Sequence, residues 1–154
     1  MKALISLIAF VVLTSCNKSE QDVVVVPKNF KGYVLVIFNQ KNGAAPKYED
    51  NKRVYEIPEN GILKTQFESN YGVRILTEFY RGKISSENKL TSFASLKDVP
   101  DDLSVGLLGA SGTVKKSAGS EERIEFAEFY IGTKMEIDQE IEQTERLDIL
   151  KLAE

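Results

Sequence analysis

Side-chain catalysis needs a nucleophile, a base or a metal ligand, and this sequence offers few of them. Its 154 residues hold one cysteine, Cys16, and no histidine. A cysteine or serine nucleophile is activated by a neighbouring base, most often an imidazole. Cys16 is therefore not expected to attack a substrate, and Ser111 cannot belong to a Ser-His-Asp arrangement. The usual ligands of zinc, copper and haem iron are missing for the same reason. What remains is oxygen chemistry. Asp98, Asp101 and Asp102, in "KDVPDD", carry the hard oxygens that suit calcium. Their spacing is not that of an EF-hand and its glycine is absent, so a solvated acidic loop without metal is expected. Glu121-Glu122 reads as a turn pair. A glycosidase needs two carboxylates facing across a cleft, and among 23 acidic residues the sequence singles out no such pair. Gly106, Gly109 and Gly112, in "GLLGASG", match neither the dinucleotide fingerprint nor the P-loop, whose lysine is lacking. They read as bulges or close backbone approaches within a strand. No catalytic residue and no cofactor are expected; the alternative is a hydrolase that works through carboxylates alone.

The chemistry of Cys16 is instead that of an attachment point. Met1-Lys2 puts a positive charge ahead of "ALISLIAFVVL", eleven residues interrupted only by Ser6. That run is too short to span a bilayer, which takes about 20 apolar residues, and it fits the apolar region of a secretory signal. Leu13-Thr14-Ser15-Cys16 then resembles the bacterial lipobox, which implies that the cysteine sulfur is joined to a diacylglycerol and that cleavage falls before residue 16. An ordinary signal peptide with an incidental cysteine is the other reading. A single acyl chain anchors only marginally, whereas two or three hold a protein on the membrane. The expected organisation is a signal peptide over 1–15, a lipidated cysteine and tether over 16–22, and one domain over 23–154. Lys18, Glu20 and Asp22 match in part the lysine-then-acid pattern of Bacteroidetes-type lipoproteins. That pattern implies a cell-envelope location, outer membrane with surface display as an option.

Removing residues 1–15 takes away only Lys2 among the charged residues, so the net charge of −3 becomes −4. A weak acidic excess without a basic block argues against nucleic acid as a partner. With Cys16 lipidated no disulfide can form within the chain, and stability must come from packing.

The elements that would carry any site are mostly strands. "VVVV" (23–26) is β-branched throughout and is stopped by Pro27. "YVLVIF" (33–38) is apolar at every position, so it is expected at the centre, covered on both faces. A long polar loop, 39–51, separates it from the strand "KRVYEI" (52–57). Asn60-Gly61 suggests a tight hairpin, with "ILKTQF" (62–67) as the return strand. Further strands are expected over 73–80, 103–115 and 124–131. Leu90, Phe93 and Leu96, three apart, suggest a short helical turn or a loop packed over the sheets. Thr133-Lys134-Met135-Glu136 fits a capping box and opens a helix from Lys134 to about Thr144. "RLDILKLA" (146–153) either prolongs it or adds a strand. The fold class is mainly β: an antiparallel β-sandwich of about seven strands with a short C-terminal helix.

Most aromatic residues (Tyr55, Phe79, Tyr80, Phe126, Phe129, Tyr130) fall in core patterns. Tyr48 lies in the long polar loop, and Tyr71 lies between turn formers in Asn70-Tyr71-Gly72. A partner, either an envelope protein or a glycan, is expected on these loops, because binding residues gather on loops held by a rigid scaffold.

Two stretches carry a wider resemblance. "VPKNFKGYVLVIFNQKNGAAPKYEDNKRVYEIPENGILKTQFESNYG" (26–72) and "EFYIGTKMEI" (128–137) resemble an uncharacterised family of secreted bacterial domains of unknown function. In that family "Y-x-I-P-x-x-G" precedes "YG", and "F-x-G-T-K" precedes a helix. The resemblance spans about half the chain and implies a shared fold without a known activity. The first half is also faintly similar to the transthyretin-like or carboxypeptidase-regulatory sandwich, whose modules are usually non-catalytic. Together these readings give a membrane-anchored envelope lipoprotein, non-enzymatic and serving as a binding module, with a lipid-anchored hydrolase as the alternative.

Overall fold

The computed structural model describes residues 20–70, 77–144 and 147–153. The N-terminal segment with Cys16 lies outside them, as does Tyr71. Among the described residues ten strands form two five-stranded sheets. The first sheet has the order β3-β4-β1-β6-β7, with β1 (Asp22–Val26) at its centre, flanked by β4 (Lys52–Glu56) and β6 (Glu78–Arg81) and edged by β3 (Tyr48–Glu49) and β7 (Lys89–Leu90). The second has the order β5-β2-β10-β9-β8. It is built on β2 (Gly32–Ile37) and β10 (Arg123–Gly132), with β5 (Ile62–Lys64), β9 (Val105–Lys115) and the two-residue β8 (Ser92–Phe93) outside them.

Period-two burial makes the sandwich. Val24 and Val26 of β1, Val34 and Val36 of β2, and Phe129 and Ile131 of β10 point into one cluster with Tyr55, Phe67 and Phe79. The alternate residues of the second sheet, Tyr33, Leu35, Ile37 and Tyr130, point the other way. They are covered by helix α1 (Lys134–Thr144) through Ile137 and by α2 (Ile149–Ala153) through Leu150 and Leu152. "YVLVIF" is therefore buried on both faces, as its composition predicts. The outer face of the first sheet carries a smaller cluster of Val23, Val54 and Tyr80, with Lys89 lying over the Tyr80 ring.

The sheets are mixed rather than antiparallel. β1 runs parallel to β4 and β6, β2 to β5, and β8 to β9. The chain changes sheet after β1, β2, β4, β5 and β7, so β1, β2 and β5 find their partners among strands that are not their sequence neighbours, while β3–β4, β6–β7, β8–β9 and β9–β10 pair in succession. The expected Asn60-Gly61 hairpin is one such crossing. Gly61 has φ +77° and its N–H donates to the Pro58 carbonyl at 2.9 Å, so the turn forms. It nevertheless delivers β5 to the other sheet, parallel to β2. The tight hairpin is Asp50-Asn51: Glu49 pairs with Lys52, and both turn residues have positive φ, +51° and +61°, as a mirror-image two-residue turn requires. Seven strands have three or more residues; β3, β7 and β8, of two residues each, bring the number to ten.

The glycine cluster behaves as a strand. β9 pairs with β10 in regular register up to Ala127↔Ser111, then resumes at Phe129↔Leu108, which leaves one extra residue on β9 at Gly109-Ala110. Gly106 lies against Phe79 so closely that a Cβ would sit 2.2 Å from its ring. The capping box closes as written: the Thr133 N–H donates to Glu136 Oε2 at 2.9 Å, and the Glu136 N–H reaches Thr133 Oγ1 at 3.5 Å.

Candidate functional site at the tether end

Parallel pairing of β1 and β4 brings the first residues of both strands to one end of the sandwich. Residues 65–70 lie at the same end, as does the segment 39–51, which the sequence reads as a loop throughout but which carries β3 with Tyr48 opposite Arg53. The Asn39 N–H donates to the Phe67 carbonyl at 2.9 Å, and the Phe38 N–H to that of Glu125, also at 2.9 Å. Here the chain enters the domain. β1 takes in Asp22, one residue before the domain start expected from the sequence, and Asp22 is buried.

Arg53 organises this end. Its Nε donates to Glu20 Oε2 at 2.5 Å and its Nη1 to the Glu68 carbonyl at 2.6 Å. Its guanidinium lies 5.0 Å from the centre of the Phe67 ring. Burial alone would lower its pKa, but the hydrogen bonds to Glu20 and Tyr55 outweigh that and raise it. Asn70 Nδ2 donates to the Glu20 carbonyl at 2.6 Å and to Asp22 Oδ1 at 3.1 Å. Tyr55 donates its hydroxyl to the same Asp22 oxygen at 3.1 Å. Burial, then the charge of Asp22, push the Tyr55 phenol well above its usual range. Tyr55 is thus a fixed donor.

Tyr48 sits on this framework. Its ring packs edge-on against Phe67 at 5.3 Å, its hydroxyl donates to Glu20 Oε2 at 3.3 Å, and it is 51% exposed. A ring held from one side and open on the other can contact a partner without losing much side-chain freedom. Beside it, Asn39, Gln40, Lys41 and Gln66 line an open hollow of about 510 Å³. All three of its amides are held by the protein: Asn39 Nδ2 donates to Glu125 at 2.6 Å, Gln40 Nε2 to the Phe38 carbonyl at 2.7 Å and Gln66 Nε2 to the Gly43 carbonyl at 3.1 Å.

The other residues singled out from the sequence do not meet here. Asp101 and Asp102 lie at the opposite end, just before β9, where Lys134 Nζ stands 3.3 Å from Asp101. Asp98 belongs to a 3-10 turn, Leu96–Asp98. Among the described residues no group of three or more acidic, histidine or cysteine side chains is gathered as a metal site, and no helix is long and apolar enough to cross a membrane. Glu122 is held by Lys116 at 2.7 Å. Ser111 faces Ala127 in the β9–β10 ladder. Cys16 and Tyr71 lie outside the described residues. Sequence reasoning did not single out Arg53, and it read Glu20 and Asp22 only as part of the tether pattern and Asn70 only as a turn former.

None of the curated proteins matches the chain. A solved chain from Bacillus anthracis, which bears the name "Putative Lipoprotein", superposes with a TM-score of 0.53. It covers 73% of this chain and 71% of its own at 13% identity, a likeness of fold. A family model described as a family of unknown function, DUF6843, matches residues 18–141, so the chain belongs to that family.

Proposed function

We propose that this protein is a lipid-anchored component of the bacterial cell envelope. It acts as a non-catalytic binding module whose contact surface is the Tyr48 end of the sandwich. The anchor reading is supported by the order of charge, apolar run, small residues and Cys16 in the sequence, and by the name borne by the B. anthracis chain of similar fold. The observation that carries the binding reading is Tyr48, half exposed on a rigid base of Phe67, Arg53 and Glu20. The carboxyls with displaced pKa values support a non-catalytic role. Burial alone would raise Glu78, but hydrogen bonds from Lys52, Lys89 and Tyr80 bring it down to about 2. Lys31 and Thr133 hold Glu136 at about 2. Lys116 lowers Glu122. Carboxylates kept ionised in this way are poor general acids.

The anchor is tested by Cys16→Ser. The substitution should abolish incorporation of labelled palmitate and leave the precursor uncut before residue 16. Palmitate still incorporated into the variant, or unchanged maturation, overturns the lipoprotein reading. Turnover of a peptide, ester, phosphate or glycoside substrate that a single carboxylate substitution removes overturns the non-catalytic one.

A further inference from the structure

Glu20, the first described residue, is held to the domain. Its carboxylate is held by Arg53 at 2.5 Å and by Tyr48 at 3.3 Å, and its carbonyl by Asn70 at 2.6 Å. Only residues 17–19 separate it from Cys16. At 3.3–3.6 Å per residue, the four steps from Cys16 to Glu20 reach at most about 14 Å. The 134 residues that follow Glu20 are therefore joined to Cys16 by a segment shorter than their own strands are tall, since a strand of five or six residues spans about 17–20 Å. That segment leaves from one defined end.

We propose that the partner of the Tyr48 end is the headgroup layer of the bilayer that holds the protein's own anchor. The proposal rests on the lipoprotein reading above and gives the binding surface its occupant. The chemistry of the surface suits that occupant. Tyr48 presents an apolar ring with a polar tip, the combination favoured at membrane–water boundaries. Lys41 is exposed at the same end, with a stem long enough to reach phosphates, whereas the Lys47 amine is held by Glu56 at 2.5 Å. Glu49 and Asp50 are exposed on the same turn, so the face is of mixed sign and has little electrostatic pull of its own toward anionic lipid. Contact then depends on the anchor, and the domain stands with β1 and β10 running away from the membrane and β2 running toward it. Asp101, Asp102 and the start of α1 form the distal end.

The chain itself supplies a clean measurement. Its one cysteine carries the lipid, so a single introduced cysteine is the only thiol open to a fluorophore. Lipidated full-length protein would be labelled at Lys41→Cys or at Asp102→Cys, both exposed positions. It would then be reconstituted in phosphatidylethanolamine–phosphatidylglycerol vesicles doped with headgroup nitroxide lipid. Quenching at position 41 should exceed that at position 102 several-fold, and the difference should survive about 0.5 M salt, roughly three times the physiological ionic strength. Equal quenching at the two positions, or stronger quenching at 102, overturns the proposal and leaves the Tyr48 end free for a protein or glycan. The mass of the mature protein tests the anchor separately: a chain without lipid removes the lipoprotein reading itself.

Discussion

Arg53 shows how one residue can do what several weaker ones cannot. Its planar guanidinium reaches a carboxylate on one side and a backbone carbonyl on another while lying near the Phe67 ring; a lysine, with a point charge, could not hold all three. Glu78 plays the corresponding part on the outer face of the first sheet. It takes Lys52 at 2.8 Å and Lys89 at 2.6 Å, and so ties β4 and β7 to β6. Its folded pKa of about 2 lies below the ordinary 4.5. The stability it contributes is therefore present above pH 4.5 and is lost as pH falls toward 2. Urea midpoints measured from pH 5 to pH 2 should fall by the equivalent of about 1–2 kcal/mol, the linkage value reduced for the solvent that reaches the cluster. Glu78→Gln should flatten that part of the profile; an unchanged slope would remove Glu78 from the account. At this scale the sequence was partly legible. Tyr48 could be found because an aromatic in a polar loop is conspicuous. The Glu20–Arg53 pair could not, because its partners are 33 positions apart and neither carries a periodic signal.

At the scale of elements, composition marked the strands better than their pairing. "VVVV", "YVLVIF" and "IEFAEFYI" are β1, β2 and β10, and the capping box places α1 at Lys134–Thr144. These are signals carried within one element, a β-branched run or a residue and its neighbour three positions on. Parallel pairing has no such local signature. A turn sequence such as Asn60-Gly61 says that the chain reverses, but not to which sheet it goes. The glycines of β9 were legible as glycines that the backbone needs, and the structure separates their reasons. Gly109 lies at the bulge, and Gly106 makes room for Phe79. Gly106→Ala should therefore destabilise the domain by about 2 kcal/mol or more through overpacking. Combining it with Phe79→Leu should return part of that loss, a coupling readable from a double-mutant cycle in urea. Strict additivity of the two substitutions would show that the glycine is required for some other reason.

At the scale of the whole molecule, three layers share one sheet. β2 and β10 face β1 on one side and α1 with α2 on the other, which is why "YVLVIF" has no polar alternate residue. Val36, fully buried between the sheets, is a stringent test. Val36→Asp places an unpaired charge there at a cost of several kcal/mol, and the variant should lose the cooperative melting transition and the β-type circular dichroism of the parent. A variant that melts like the parent would take "YVLVIF" out of the core. The pairing of β2 with β10 also sets an order in time. Tyr33 reaches its hydrogen-bond partner Glu128 across 95 positions, and the ladder between them cannot close before residues 123–132 are available. Contacts so distant along the chain make folding slow, on the scale of milliseconds to seconds. A polypeptide emerging N-terminus first would hold β2 open on that flank until nearly its last strand had followed. Until then the space between the two sheets cannot close over Val34 and Val36, which pack there against residues of β10.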